Sequence, residues 1–142
     1  MYTEYQPSHL LVPYIDSYWE FKGNPDYGMR IHILPDGCTD FIFTLGEVAN
    51  AVEEGSLIMQ PYRSYFVGPM TKYSELVTYT ESIHMFGVRF LPCGLSCFTN
   101  LPLHEFVNSR VSTNEMKAVF DDTFIEKLGE QKHVTDRIRV VE

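Results

Sequence analysis

Asp40 is notable among the residues able to do chemistry, because it interrupts a strongly apolar stretch. It lies in ILPDGCTDFIFTLG, residues 33–46, two residues after Cys38 and directly before three large apolar side chains. A carboxylate in such surroundings either belongs to an active or binding site, or pairs with a basic group elsewhere in the fold. The types and spacing of the other reactive residues bear on that choice.

The residues that most often bind metals or attack substrates follow no catalytic pattern. The five histidines form neither H-x-H nor H-E-x-x-H, and the chain has no G-x-S-x-G sequence and no phosphate-binding glycine loop. Cys93 and Cys97 lack the two-residue gap of a metal or redox pair, so they are predicted to be buried free thiols. We therefore predict no catalytic residue, no metal ion and no cofactor.

The composition predicts one folded domain in a reducing compartment. The chain has 142 residues, of which 44% are hydrophobic and 14% aromatic, enough for a single core. A net charge of −8 disfavours binding to nucleic acid or to anionic membranes by this chain itself. Neither a signal peptide nor a membrane-spanning run is present, so we expect a cytoplasmic protein without a membrane partner.

Short apolar segments separated by turn residues predict a β-rich region up to about residue 95. The predicted strands cover residues 18–22, 29–34, 38–45, 56–60, 65–68, 75–80 and 84–91. No helix-length pattern interrupts them, which favours a sandwich or barrel over a parallel sheet. Between two of these strands, Pro35-Asp36-Gly37 predicts a tight turn in which Gly37 takes a positive φ.

The alternation of side chains places ionisable groups opposite bulky apolar ones. Asp40 shares a side with Ile42, opposite Phe41 and Phe43, and Arg89 opposes Phe86 and Phe90 in the same way. Three interpretations follow: a barrel interior with polar anchors for a ligand, a solvated ionisable face over a phenylalanine core, or an internal ion pair between Asp40 and Arg89.

Two amphipathic helices are predicted after residue 95. The first begins at a capping box, Ser112 with Glu115, continues with apolar residues at helical spacing and ends near Gly129. The second carries an apolar stripe of Val134, Ile138 and Val141. Mixed charges flank that stripe and suit the rim of an interface; they are Lys132, Asp136, Arg137, Arg139 and Glu142.

Four stretches together carry a family resemblance: YQPSHLLVPYIDSYWEF, ILPDGCTDFIF, FGVRFLPCGL and LPLHEFVNSRVS. In this order and spacing, the chain from Tyr5 to about Val141 resembles the N-terminal domain of AraC-type bacterial transcription regulators. The resemblance implies a mainly β fold, a cupin-like β-barrel or jelly roll at residues 1–100, followed by an amphipathic helical pair as dimerisation segment at residues 101–142.

The resemblance also implies a function. The expected role is effector sensing and dimerisation, with DNA contacted only through a C-terminal helix-turn-helix domain that is not in this chain; we expect the chain to be part of a longer protein. The small-molecule effector is predicted to bind near Trp19, His32, Phe66 and Arg89, and a homodimer is predicted through residues 112–142. The alternatives are a metal-dependent cupin-type enzyme, an isomerase or oxygenase, and a dimer scaffold that binds nothing.

Overall fold

The computed structural model of the chain describes residues 2–23, 30–33, 37–45, 49–51, 58–59, 63–69, 74–78, 83–92, 94–97, 105, 110–112, 127–128 and 130–142. Within these residues the protein is mainly antiparallel β-structure, with a short 3₁₀ helix at Leu95–Cys97 and one C-terminal helix, α1 (Val134–Val141). The strands are β1 (Tyr2–Tyr5), β2 (Ile15–Gly23), β3 (Arg30–Ile33), β4 (Thr39–Thr44), β5 (Ala49–Ala51), β6 (Ile58–Met59), β7 (Ser64–Val67), β8 (Ser74–Thr78), β9 (Ile83–Phe90) and β10 (Arg110–Ser112).

These strands form two sheets. The larger has six strands in the order β1-β2-β9-β4-β7-β10, and the smaller has four in the order β3-β8-β5-β6. Every predicted strand has a counterpart in the structure, because each is an apolar segment bounded by turn residues. Three further strands, β1, β5 and β10, were not predicted. The last of them lies inside the segment predicted to be helical, yet it pairs with β7.

Gly37 confirms the conformation predicted for the turn before β4. Its φ is +73°, in the left-handed region that glycine adopts without a steric penalty. Residues 34–36, which complete the predicted turn, lie outside the described part of the chain.

One hydrophobic core joins the six-stranded sheet to α1. Its fully buried rings include Phe41, Phe43 and Phe86, as one interpretation of the strand pattern predicted. Four residues of α1 pack against this core: Val134, Ile138, Val140 and Val141. The predicted stripe of the last helix therefore packs against the chain's own core and is partly buried there.

The first predicted helix, at residues 112–128, lies almost wholly outside the described residues. Lys127 and Leu128 are helical, and Leu128 is fully buried in the core. The second member of the helical pair and the jelly-roll arrangement therefore remain predictions, as does the division at residue 100.

Candidate ligand-binding site

The strand register assigns each residue of the six-stranded sheet to one of two faces. Asp40 pairs directly with Arg89, and Trp19 pairs directly with Gly87, on neighbouring strands. Paired residues point to the same side of a sheet, and successive residues alternate. Trp19, Asp40 and Arg89 therefore share one side, here called the Trp19 face. Phe86 lies on the other side, the helix face, whose core residues pack against α1.

An ion-pair cluster lies on the Trp19 face. The Arg89 guanidinium donates from Nε to Oδ1 of Asp40 and from Nη1 to Oε1 of Glu4, both over 3.3 Å. The Arg89 and Asp40 side chains are 19% and 16% exposed, whereas Glu4 is 45% exposed. The ion pair between Asp40 and Arg89 proposed from the sequence is therefore present, and it is partly buried rather than fully solvated.

Replacing Asp40 with alanine is expected to lower the free energy of unfolding by about 1–2 kcal/mol. That value lies between roughly 0–1 kcal/mol for an exposed pair and roughly 3–5 kcal/mol for a fully buried one, because Asp40 is mostly buried and Arg89 keeps Glu4. Urea denaturation measures the change. Glu4→Ala is the matched control, since the same guanidinium loses its more exposed partner. Equal losses in the two variants, or no loss for Asp40→Ala, would contradict the assignment.

Trp19 is buried beside this cluster with an unsatisfied donor. Trp19 is 5% exposed, and its buried indole Nε1 has no hydrogen-bond partner among the residues that the structure describes. The ring lies against Gly87: a Cβ added there would be 2.0 Å from Cε2 of the indole, so only glycine fits. A buried donor without an acceptor costs about 1–3 kcal/mol, so a hydrogen bond from this N–H group to an incoming acceptor would be favourable.

Tyr2 covers the indole from the edge strand β1. The ring centroids of Tyr2 and Trp19 are 5.8 Å apart, and the Tyr2 hydroxyl donates to Glu4 over 2.9 Å. Burial, together with the hydrogen bond to Glu4, raises the pKa of Tyr2 to about 12, so its hydroxyl stays protonated at neutral pH. Two aromatic rings thus lie next to one cation and two carboxylates.

The structure brings together only some of the four residues predicted to bind a ligand. Trp19 and Arg89 lie on the same face of adjacent strands. Phe66 pairs with Phe41, points to the helix face and is fully buried in the core there. His32 lies in β3 of the four-stranded sheet, opposite Glu75. Whether a ligand contacts any of these residues stays a prediction.

Three contributors to the Trp19 face were missed by the sequence analysis. Tyr2 and Glu4 belong to a short edge strand whose residues are mostly exposed, so no apolar alternation marks it. Gly87 carried a usable signal, because an isolated glycine in the middle of a strand often marks a close approach of another group.

The helix face carries a second polar cluster, centred on Glu20. Its Oε2 accepts from Nη1 of Arg137 over 2.8 Å and lies 2.9 Å from Nε2 of His84. Arg137 is 8% exposed in its side chain and also donates to the carbonyl oxygens of Leu128 and Gln131. It was predicted to lie at the rim of an interface; instead it is buried and attaches α1 to β2.

His84 is expected to make the free energy of unfolding dependent on pH. Burial lowers the pKa of His84 below its ordinary 6.5; the bond to Glu20 opposes this shift, and the charges of Arg137 and Lys22 add to it. The unfolded chain then binds the proton more readily than the folded one. The contribution of neutral His84 is complete above pH 6.5 and is lost as the pH falls below that value.

We therefore expect a lower free energy of unfolding at pH 5.5 than at pH 7.5, measured by urea denaturation. In His84→Gln the difference between the two pH values should shrink, because glutamine keeps a donor toward Glu20 but does not titrate. A difference that is unchanged in His84→Gln would contradict this assignment.

Metal ligands do not cluster in the part of the chain that the structure describes. No three His, Cys, Asp or Glu residues among them are placed to hold a metal ion. Cys97 is a free and exposed thiol, so the prediction of a buried thiol is wrong for Cys97, whereas Cys93 lies outside the described residues. Among the same residues, no helix has the length and apolar character needed to cross a membrane.

Fold and site together define a mainly antiparallel β-protein with a charged and aromatic cluster on one face of its larger sheet and a helix on the other. The chain belongs to the family described as Domain of unknown function (DUF6597), whose model matches residues 3–112. No curated protein matches the chain.

A solved structure identifies the type of fold. The chain is similar to the Cupin_2 domain of an XRE family transcriptional regulator from Enterobacter cloacae, with a TM-score of 0.52 and 10% sequence identity. The similarity covers 65% of this chain and 96% of that domain. At this identity the match establishes a cupin-like fold.

Proposed function

We propose that this chain is the effector-sensing and dimerisation domain of an AraC-type transcription regulator, and that a small molecule binds on the Trp19 face. The observation that carries the proposal is the buried indole N–H of Trp19, which lies beside the Arg89 ion-pair cluster and has no partner among the described residues. The cupin-like fold supports it, since small ligands bind in concave, largely apolar sites with a few fixed polar groups. The four stretches that resemble AraC-type regulators supply the regulatory role.

The groups on the Trp19 face indicate what an effector must offer. A hydrogen-bond acceptor would satisfy the indole N–H, and a flat apolar portion would lie against the rings of Trp19 and Tyr2. Polar groups on the ligand would meet Glu4 and Arg89, whose bond is the more exposed part of the cluster. The effector is therefore a small molecule that combines polar and flat apolar surfaces.

Native mass spectrometry of the protein incubated with a metabolite mixture tests effector binding. The wild type should retain a small molecule, and Arg89→Gln should lose it. Arg139→Gln is the matched control, because the Arg139 side chain is 81% exposed on α1. Trp19 is the only tryptophan, so the retained compound should also change its fluorescence. Equal retention in Arg89→Gln, or no retained compound in the wild type, would contradict binding on this face.

The proposal includes a homodimer through residues 112–142, which rests on the family resemblance. The stripe that suggested it packs on the chain's own sheet, so Ile138→Glu would now disrupt the protomer itself. Sedimentation across a concentration series tests self-association of the protein. A monomer at all concentrations would contradict this part of the proposal.

DNA binding is assigned to a separate C-terminal domain of the regulator, because the net charge of −8 opposes contact between this chain and phosphates. The chain itself is proposed not to be an enzyme. Metal analysis of the purified protein separates this proposal from the alternative: stoichiometric iron, zinc or manganese would support a metal-dependent cupin enzyme.

A further inference from the structure

Adjacent residues of β2 contact the candidate site and the terminal helix. Trp19 lies on the Trp19 face, whereas Tyr18 and Glu20 point to the helix face. The Tyr18 hydroxyl donates to Oε2 of Glu142 over 3.1 Å, and Glu20 accepts from Arg137 over 2.8 Å. Three consecutive residues of β2 therefore contact three different groups: Tyr18 contacts Glu142, Trp19 lies in the candidate site and Glu20 contacts Arg137 of α1.

The residues on both faces of β2 are too closely packed to move independently of the strand. The Trp19 indole lies so close to Gly87 that no Cβ fits between them. Tyr18 is fully buried, and the Arg137 guanidinium also donates to two backbone carbonyls near the start of α1. Burial and the neighbouring Glu142 carboxylate raise the pKa of Tyr18, so its hydroxyl remains a donor. Close-packed groups of this kind move together between discrete arrangements.

We propose that β2 transmits occupancy of the Trp19 site to α1 through the Tyr18–Glu142 and Glu20–Arg137 contacts. The proposal deepens the proposed function, since it names how effector binding would be communicated to the helical segment. A ligand that takes the indole N–H shifts Trp19 relative to Gly87, and the strand carries that shift to its two helix-bound neighbours. Coupling between sites is reciprocal, so loosening α1 must alter the surroundings of Trp19.

The reciprocal effect can be measured without a ligand. Arg137→Gln removes the charged contact to Glu20, and Tyr18→Phe removes only the hydroxyl bond to Glu142. Hydrogen exchange of residues 134–142 reports the loosening of α1, and acrylamide quenching of the single tryptophan reports the Trp19 environment. Arg139→Gln, which removes the same charge from an exposed position of α1, is the control.

Both variants are expected to speed exchange in α1 and to raise the quenching constant of Trp19 on the order of two-fold, with Arg139→Gln unchanged. Faster exchange in α1 with wild-type quenching would overturn the coupling, and so would unchanged exchange in both variants. If Arg137→Gln does not fold, Tyr18→Phe decides by the same two measurements. This experiment uses no effector, so a negative result would overturn the coupling without contradicting ligand binding. Conversely, a failed ligand screen would not prevent the coupling from being measured.

Discussion

Arg137→Ala is expected to lower the free energy of unfolding by about 3–5 kcal/mol, the range for removing one partner of a buried ion pair. Arg137 is 8% exposed in its side chain and holds Glu20 over 2.8 Å. Its removal leaves the Glu20 carboxylate without its cation and leaves the carbonyl oxygens of Leu128 and Gln131 without the donors they now have. Most of the cost is therefore the desolvation of groups that stay behind.

Urea denaturation of two variants tests this expectation. Arg139→Ala is the control on the same helix: its side chain is 81% exposed and its pair with Asp136 is worth about 0–1 kcal/mol. Arg137→Met keeps much of the apolar volume but not the charge, and it should still lose most of the stability. Similar losses for Arg137→Ala and Arg139→Ala would show that the Arg137–Glu20 contact does not hold the helix.

Gly87→Ala is expected to cost about 3 kcal/mol, the upper part of the range for over-packing a well-packed site. The added Cβ would be 2.0 Å from Cε2 of the Trp19 indole and 2.3 Å from its Nε1. Gly87 lies on β9, between β2 and β4 in the larger sheet, so its backbone cannot move away without disturbing both neighbours. The indole must leave its position instead.

A double-mutant cycle separates this clash from the general effect of alanine in a strand. In a Trp19→Leu background, Gly87→Ala should cost less than about 1 kcal/mol, because the ring that it strikes is gone. The expected signature in Gly87→Ala alone is a shift in the emission of Trp19 along with the loss of stability. An equal cost in both backgrounds would mean that the indole does not lie over Gly87.

Local sequence patterns were sufficient to predict strands, a turn conformation and the apolar stripe of a helix. Apolar alternation predicted the strand that carries Asp40 and the strand that carries Arg89, and it put each on the correct side of its own strand. The positive φ of Gly37 followed from turn chemistry, and the apolar stripe of α1 followed from its helical spacing. Each of these depends on residues within about one turn or one strand of each other.

The assembly of the Trp19 face could not be derived in the same way. Phe66 was placed in the site, but its pairing with Phe41 puts it on the helix face, since a shift of one residue in register exchanges the faces of a strand. Glu4 was missed because β1 is an exposed edge strand, and its contact with Arg89 joins residues 85 positions apart.

The sequence by itself determined the class of structure and, for individual strands, which residues share a side. It offered the pairing of Asp40 with Arg89 only as one of three interpretations. Only the tertiary structure decided that Arg137 is buried against Glu20 and that Glu142 accepts a hydrogen bond from Tyr18. The physical reason is distance along the chain: Arg137 and Glu20 are 117 positions apart, and Glu142 and Tyr18 are 124 apart. The sequence does not reveal whether a charged residue beside an apolar helical stripe contacts water, another chain or a buried carboxylate. Only the packing of the folded chain distinguishes these three cases.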